Sequence, residues 1–94
     1  MAEHATVTLR ARFGTPLADA GVRDTVLASA HAIGERTGVT IDRVENDDAS
    51  VTVTLATDRI GAIGFAAELR RVTNAWHARK FGVTLWGEAP EEAA

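Results

Sequence analysis

Along ATVTLRARF (5 to 13) the apolar residues fall on every second position, with Val7, Leu9, Ala11 and Phe13 on one side and Thr6, Thr8, Arg10 and Arg12 on the other. A period of two is the mark of a half-buried strand. The run GTPLAD breaks it, since Gly14 ends the extended stretch and Pro16 sits where a helix starts without needing its N–H. From Leu17 to about Thr37 the spacing lengthens to that of a helix, carried by Leu17, Ala20, Val22, Val26, Ala30 and Ile33, and Gly38 follows as a left-handed cap. Gly21 and Gly34 each cost roughly 1 kcal/mol against alanine, so the first turns of this helix are expected to start late.

Two β-branched runs come next, VTIDRV (39 to 44) and SVTVTLAT (50 to 57), around the polar turn ENDDA. They predict a hairpin, with Val51, Val53 and Leu55 inward and Thr52 and Thr54 outward. Ile41 and Val44 lie three apart, which a regular strand does not allow, so a bulge or an early strand end is expected there. A second helix is predicted from about Asp58 to Lys80 on the stripe Phe65, Leu69, Val72 and Trp76, extended by Ala62 and Ala66 and ended by Gly82. VTLW (83 to 86) then predicts a last strand, with Val83 and Leu85 inward and Trp86 outward. The order β-α-β-β-α-β is that of a ferredoxin-like α+β sandwich: a four-stranded antiparallel sheet with two helices on one face. One domain over residues 1 to 87 and a disordered acidic tail over 88 to 94 are expected.

Composition narrows the chemistry. At 94 residues and 46% apolar the chain supports a single core, and without cysteine it has neither disulfides, thiolate metal sites nor a cysteine nucleophile. MAEHATVTLR lacks a signal pattern and no apolar run is long enough for a membrane span, so a cytoplasmic protein without membrane contact is expected. Its richness in Ala, Arg, Val, Thr and Gly suits a bacterium of high genomic GC content. The net charge of −3 resides in the three glutamates of EAPEEAA (88 to 94), which leaves ten carboxylates against ten cations before it. Within that neutral body the signs separate. DRVENDD (42 to 48) is acidic, whereas residues 59 to 80 carry Arg59, Arg70, Arg71, Arg79 and Lys80 against Glu68.

Four features could carry chemistry. The pair of glycines in TDRIGAIGFAAEL (57 to 69), Gly61 and Gly64, lies at a helix start after a strand, where free N–H groups hold anions. No lysine or serine stands beside Gly64 and no phosphate fingerprint is complete, so Thr57 or Asp58 is expected to cap the helix and the glycines to permit close packing. IGAIG also resembles the I-G-x-x-G loop of K-homology RNA-binding domains over five residues, but Ala62 and Ile63 stand where that loop places polar or basic residues. His4, His31 and His77 have no metal-ligand spacing, and neither a metal nor any cofactor is expected. A basic helix face is expected from Arg70, Arg71 and His77.

The remaining feature is the sheet face that the helices leave open. Alternation gathers on it Thr8, Arg10, Arg12, Thr52 and Thr54, with Trp86 as an aromatic anchor, the composition of a contact surface. Nucleic acid is not expected there, because no stacking aromatics lie on the central strands and the body is neutral. The expected function is a non-enzymatic module that self-associates as a homodimer or docks a protein partner through this face. The alternative is a small dimeric α+β-barrel enzyme, cofactor-independent, of the monooxygenase or isomerase kind, which would need polar groups in a cavity between sheet and helices.

Overall fold

The computed structural model describes residues 3–87. In chain order the elements are strand β1 (Ala5–Arg10), a short 3-10 turn (Pro16–Ala18), helix α1 (Ala20–Thr37), strands β2 (Ile41–Asn46) and β3 (Ser50–Leu55), and helix α2 (Arg59–Phe81). The expected tail, 88 to 94, lies outside the described residues.

β3 is the centre of a three-stranded sheet of order β1-β3-β2, antiparallel to both neighbours. Its register sets Thr6 against Thr54 and Thr8 against Thr52 on one side, Arg43 against Thr54 and Glu45 against Thr52 on the other. The register shifts between Ile41 and Arg43, the irregularity expected from the spacing of Ile41 and Val44. At the hairpin, Asp47 Oδ1 accepts from Ala49 N and Ser50 Oγ at 2.8 and 3.0 Å. These bonds hold its carboxyl below the ordinary carboxylate value, the Ala49 N–H contributing most.

Both helices begin on an aspartate and end on a glycine. Asp19 and Asp58 accept from Val22 N and Gly61 N at 3.0 and 2.8 Å, each satisfying one of the donors that a helix start leaves over. Gly38 and Gly82 close the helices at φ of 78° and 85°, a left-handed conformation that glycine adopts without a Cβ clash. Val7 and Leu9 of β1, Val51, Val53 and Leu55 of β3, Val22, Val26, Ala30 and Ile33 of α1, and Ala62, Phe65, Ala66 and Leu69 of α2 are all buried in one core between sheet and helices. Glu68 ties the helices at the surface, accepting from Arg36 of α1 at 2.8 Å and from Arg71 through two nitrogens at 3.0 and 2.7 Å. Its carboxyl is lowered, chiefly by the bonds from Arg71.

The ferredoxin-like sandwich is overturned, because the sheet has three strands and not four. Residues 83 to 86 make an isolated antiparallel bridge, Ala11 with Trp86, where a strand was expected. The reason is local. Leu85 N and Trp86 N both donate to the side-chain oxygen Asn74 Oδ1, at 2.9 and 2.8 Å. Consecutive N–H groups of an extended strand point to opposite sides, so two that converge on one oxygen cannot belong to a ladder. β1 also stops at Arg10, four residues before Gly14 turns at φ 60°, and Phe13, expected inside, is 65% exposed.

Candidate functional site

The open sheet face lies on the side away from the helices. Thr6, Arg10, Arg43 and Glu45 are exposed on it, and Thr8, Thr52 and Thr54 half-buried. The cross-strand threonines bond one another, Thr6 Oγ1 to Thr54 Oγ1 at 3.1 Å and Thr8 Oγ1 to Thr52 Oγ1 at 3.0 Å. Each pair thereby satisfies part of its own polar capacity. At the lower rim of this face His4 Nε2 lies 2.7 Å from Asp42 Oδ2. At the other end Arg12 Nη1 donates to Thr84 Oγ1 at 3.2 Å, and Arg10 bears on Asp47 through its charge. The structure therefore brings together Thr8, Arg10, Thr52 and Thr54 as alternation predicts, with exposed Arg12 at the corner.

Trp86 is not among them. It is 1% exposed and Leu85 beside it 2%, since the unextended segment turns both side chains inward. Its indole Nε1 donates to Thr73 Oγ1 at 2.7 Å, and that hydroxyl donates in turn to Leu69 O at 2.6 Å. A buried tryptophan needs a partner for its N–H, and Thr73 supplies it from within the helix. Trp86 is thus a core residue.

The expected basic face of α2 also divides. His77 is buried, its Nδ1 lying 2.6 Å from Val83 O; a carbonyl only accepts, so Nδ1 is the protonated nitrogen. Arg70 is half-buried and donates from Nη1 to Gly87 O. Arg71 lies on another side of the helix, exposed and engaged by Glu68. Arg70, Asn74 and His77, one turn apart on α2, hold residues 83 to 87 in place, and Thr73 joins them through Trp86. Sequence reasoning placed Val72 and Trp76 on the buried stripe, but both are half-buried and Thr73 and His77 take the deep positions. The only signal was two polar residues four apart in continuation of Leu69.

At the glycine pair the helix start is capped from within the chain, as expected of Thr57 or Asp58. Asp58 already occupies the helix start with a carboxylate, and the exposed Ile60 and Ile63 flank Gly61. A Cβ on Gly61 would run into Thr57 Oγ1, so the close approach is to the preceding turn and not to the sheet or the other helix. A Cβ on Gly64 would meet nothing within 4 Å.

Among the described residues no group of three or more His, Asp or Glu is placed to hold a metal, and no helix is long and apolar enough to cross a membrane. A surface groove of about 320 Å³ lies at the end of α1, lined by residues that include His31, Glu35 and Thr40. A second, of about 340 Å³, is bounded by Arg12, Asn74, Thr84, Trp86 and Gly87. No protein-family model matches the chain, and no curated protein is detectably similar to it.

Proposed function

We propose that this chain is a self-association module whose open sheet face packs against the same face of a second copy. The observation that carries the reading is the pair of threonine bonds across β1 and β3. Hydroxyls already bonded to each other lose less on leaving water than unpaired ones, so this polar face can be covered at modest cost. Its charges also suit a second copy. Glu45 stands level with Thr8 and Thr52, Arg43 level with Thr6 and Thr54, and Arg10 level with Ser50 at the hairpin end near Asp47. A two-fold axis parallel to the strands and over β3 lays β1 of one copy across β2 of the other. Thr8 then faces the partner copy's acidic strand, and Arg10 faces its Asp47 turn.

The other exposed apolar side chains favour no competing surface. Ile60 and Ile63 lie at the start of α2, Phe81 and Val83 at its end and Phe13 beyond the end of β1, and the 23 residues of α2 span about 34 Å. Scattered exposed residues of this kind are ordinary. Nor does an observation favour the enzyme alternative: the space between sheet and helices is filled by aliphatic side chains, Phe65 and Trp86, the buried Thr73 hydroxyl is taken by the Trp86 indole and its own helix, and the groove beside His31 lies outside it.

The test is molar mass by light scattering over a wide concentration range for the wild type, Thr52→Lys and Ile63→Lys. Thr52 lies on the proposed axis, so a lysine there meets its own copy and two like charges are forced together. The expected result is a wild-type dimer that Thr52→Lys dissociates and Ile63→Lys leaves unchanged. A monomeric wild type, or a dimer that only Ile63→Lys breaks, would sink the reading.

A further inference from the structure

The strand that does not form leaves an edge of the sheet open. Ala11 N donates to Ala49 O and Gly87 N to Arg10 O, so the odd positions of β1 turn their backbone groups to β3 and the even ones turn theirs away. Residues 85 to 87 fill this outer edge only from Arg10 to Arg12, and the pairing stops at Gly87, whose carbonyl accepts from Arg70 Nη1. Arg10 N and both backbone groups of Thr6 and Thr8 have no backbone partner among the described residues. Such a row is a template for another strand, and proteins usually blunt it with charges or a bulge. The opposite edge, β2, has both: Asp42, Arg43 and Glu45, and the register shift between Ile41 and Arg43. From Ala5 to Leu9, β1 has neither.

We propose that the outer edge of β1 binds an extended segment of another protein, added antiparallel as a fourth strand. Alternation sets the chemistry of that segment. On the helix side it lies beside Val7 and Leu9 and next to α2, where Ile63, Ala67, Arg70, Asn74 and His77 recur at helical spacing on one side. The last three hold residues 83 to 87, whereas Ile63 and Ala67 are exposed and offer an apolar shelf to the unfilled part of the edge. On the open side the segment lies beside Thr6 and Thr8, and a carboxylate level with Thr8 is diagonal to the exposed Arg10. The partner strand is therefore apolar and polar by turns, with an acidic residue toward its N-terminal end. A second copy's β1 brings only threonine and arginine to its polar positions and no carboxylate. The edge lies in the plane of the sheet and stays open when two faces pack, so this inference goes beyond the sheet-face reading and does not rest on it.

The test titrates the full nitrogen-15-labelled chain with a blocked peptide, Val-Asp-Val-Thr-Val, and follows amide exchange at Thr6, Thr8 and Arg10. Without peptide these three are expected to exchange at least about tenfold faster than Val7 and Leu9, whose N–H groups bond to β3; saturating peptide slows them. Two further peptides separate strand pairing from mere adhesion. N-methylation of the aspartate and threonine, whose N–H groups point at β1, is expected to abolish binding, and N-methylation of the central valine, whose N–H points away, to preserve it. Equal binding of the two methylated peptides, or no saturable binding of the parent peptide, would overturn the proposal. So would slow exchange at Thr6 and Thr8 without peptide: the edge is then filled by the chain's own end or, where the slowing grows with protein concentration, by a second copy.

Discussion

Thr73 and Trp86 are two residues whose roles exchange what their types suggest. A threonine in mid-helix would ordinarily face water, and a tryptophan near the chain end would suit a contact surface. Here Thr73 is fully buried and passes one hydrogen bond into its own helix while receiving another from the indole. Trp86→Ala is therefore expected to unfold the protein more easily, by about 3–5 kcal/mol, as for other buried aromatic truncations. Thr73→Val should cost about 1–3 kcal/mol, because it keeps the volume but orphans the indole N–H. Urea denaturation of both variants measures this; a Trp86→Ala protein as stable as the wild type would contradict the assignment. The alternation that placed Thr8, Arg10, Thr52 and Thr54 outward was legible because those residues sit in regular ladders with a period of two. Trp86 was not legible, since its direction is set by Asn74, eleven and twelve positions before the amides it binds, and no periodicity records a side-chain acceptor.

Local signals in the chain located the elements well where they end on caps. Gly38, Asp58 and Gly82 mark three of the helix ends, each acting through backbone groups within a few residues, whereas the first helix begins at Ala20 on the Asp19 cap, after a 3-10 turn, and not at Leu17 as the apolar spacing suggested. The fourth strand failed for the opposite reason: VTLW has strand composition, but strand pairing depends on the partner, and β1 ends at Arg10. Gly64 follows from the same element-level reasoning. It is exposed within a helix with open space at its Cβ position, so Gly64→Ala should stabilise the protein by about 1 kcal/mol in thermal or urea melts. Gly61→Ala should not, because its Cβ would meet Thr57. The hairpin and the helix pair also respond to acid. Asp47 is held below its ordinary value of 3.8 and Glu68 below 4.5, so each contributes fully above those values and loses its contribution as pH falls through the lower folded one. Melting temperatures followed from pH 6 to 2.5 should fall more steeply in the wild type than in Asp47→Asn or Glu68→Gln. Parallel curves would contradict the linkage.

At the scale of the whole fold, the three strands and two helices of the described residues make two layers, and among those residues nothing covers the other face of the sheet. That the helices would lie on one side was legible from the strands, whose inward positions are apolar and outward ones polar. The balance of charge across that face was legible only in part, because it depends on the register of β2 against β3 and on the bulge that carries Arg43 and Glu45 to their levels. The proposed association rests on that face, and the most direct measurement is an isotope-filtered NOE experiment on a mixture of labelled and unlabelled copies at a concentration where the dimer is populated. Contacts between copies at the methyl groups of Thr6, Thr8, Thr52 and Thr54 are predicted. A protein that stays monomeric throughout, or intermolecular contacts confined to Ile60, Ile63 or Phe81 on α2, would contradict the account.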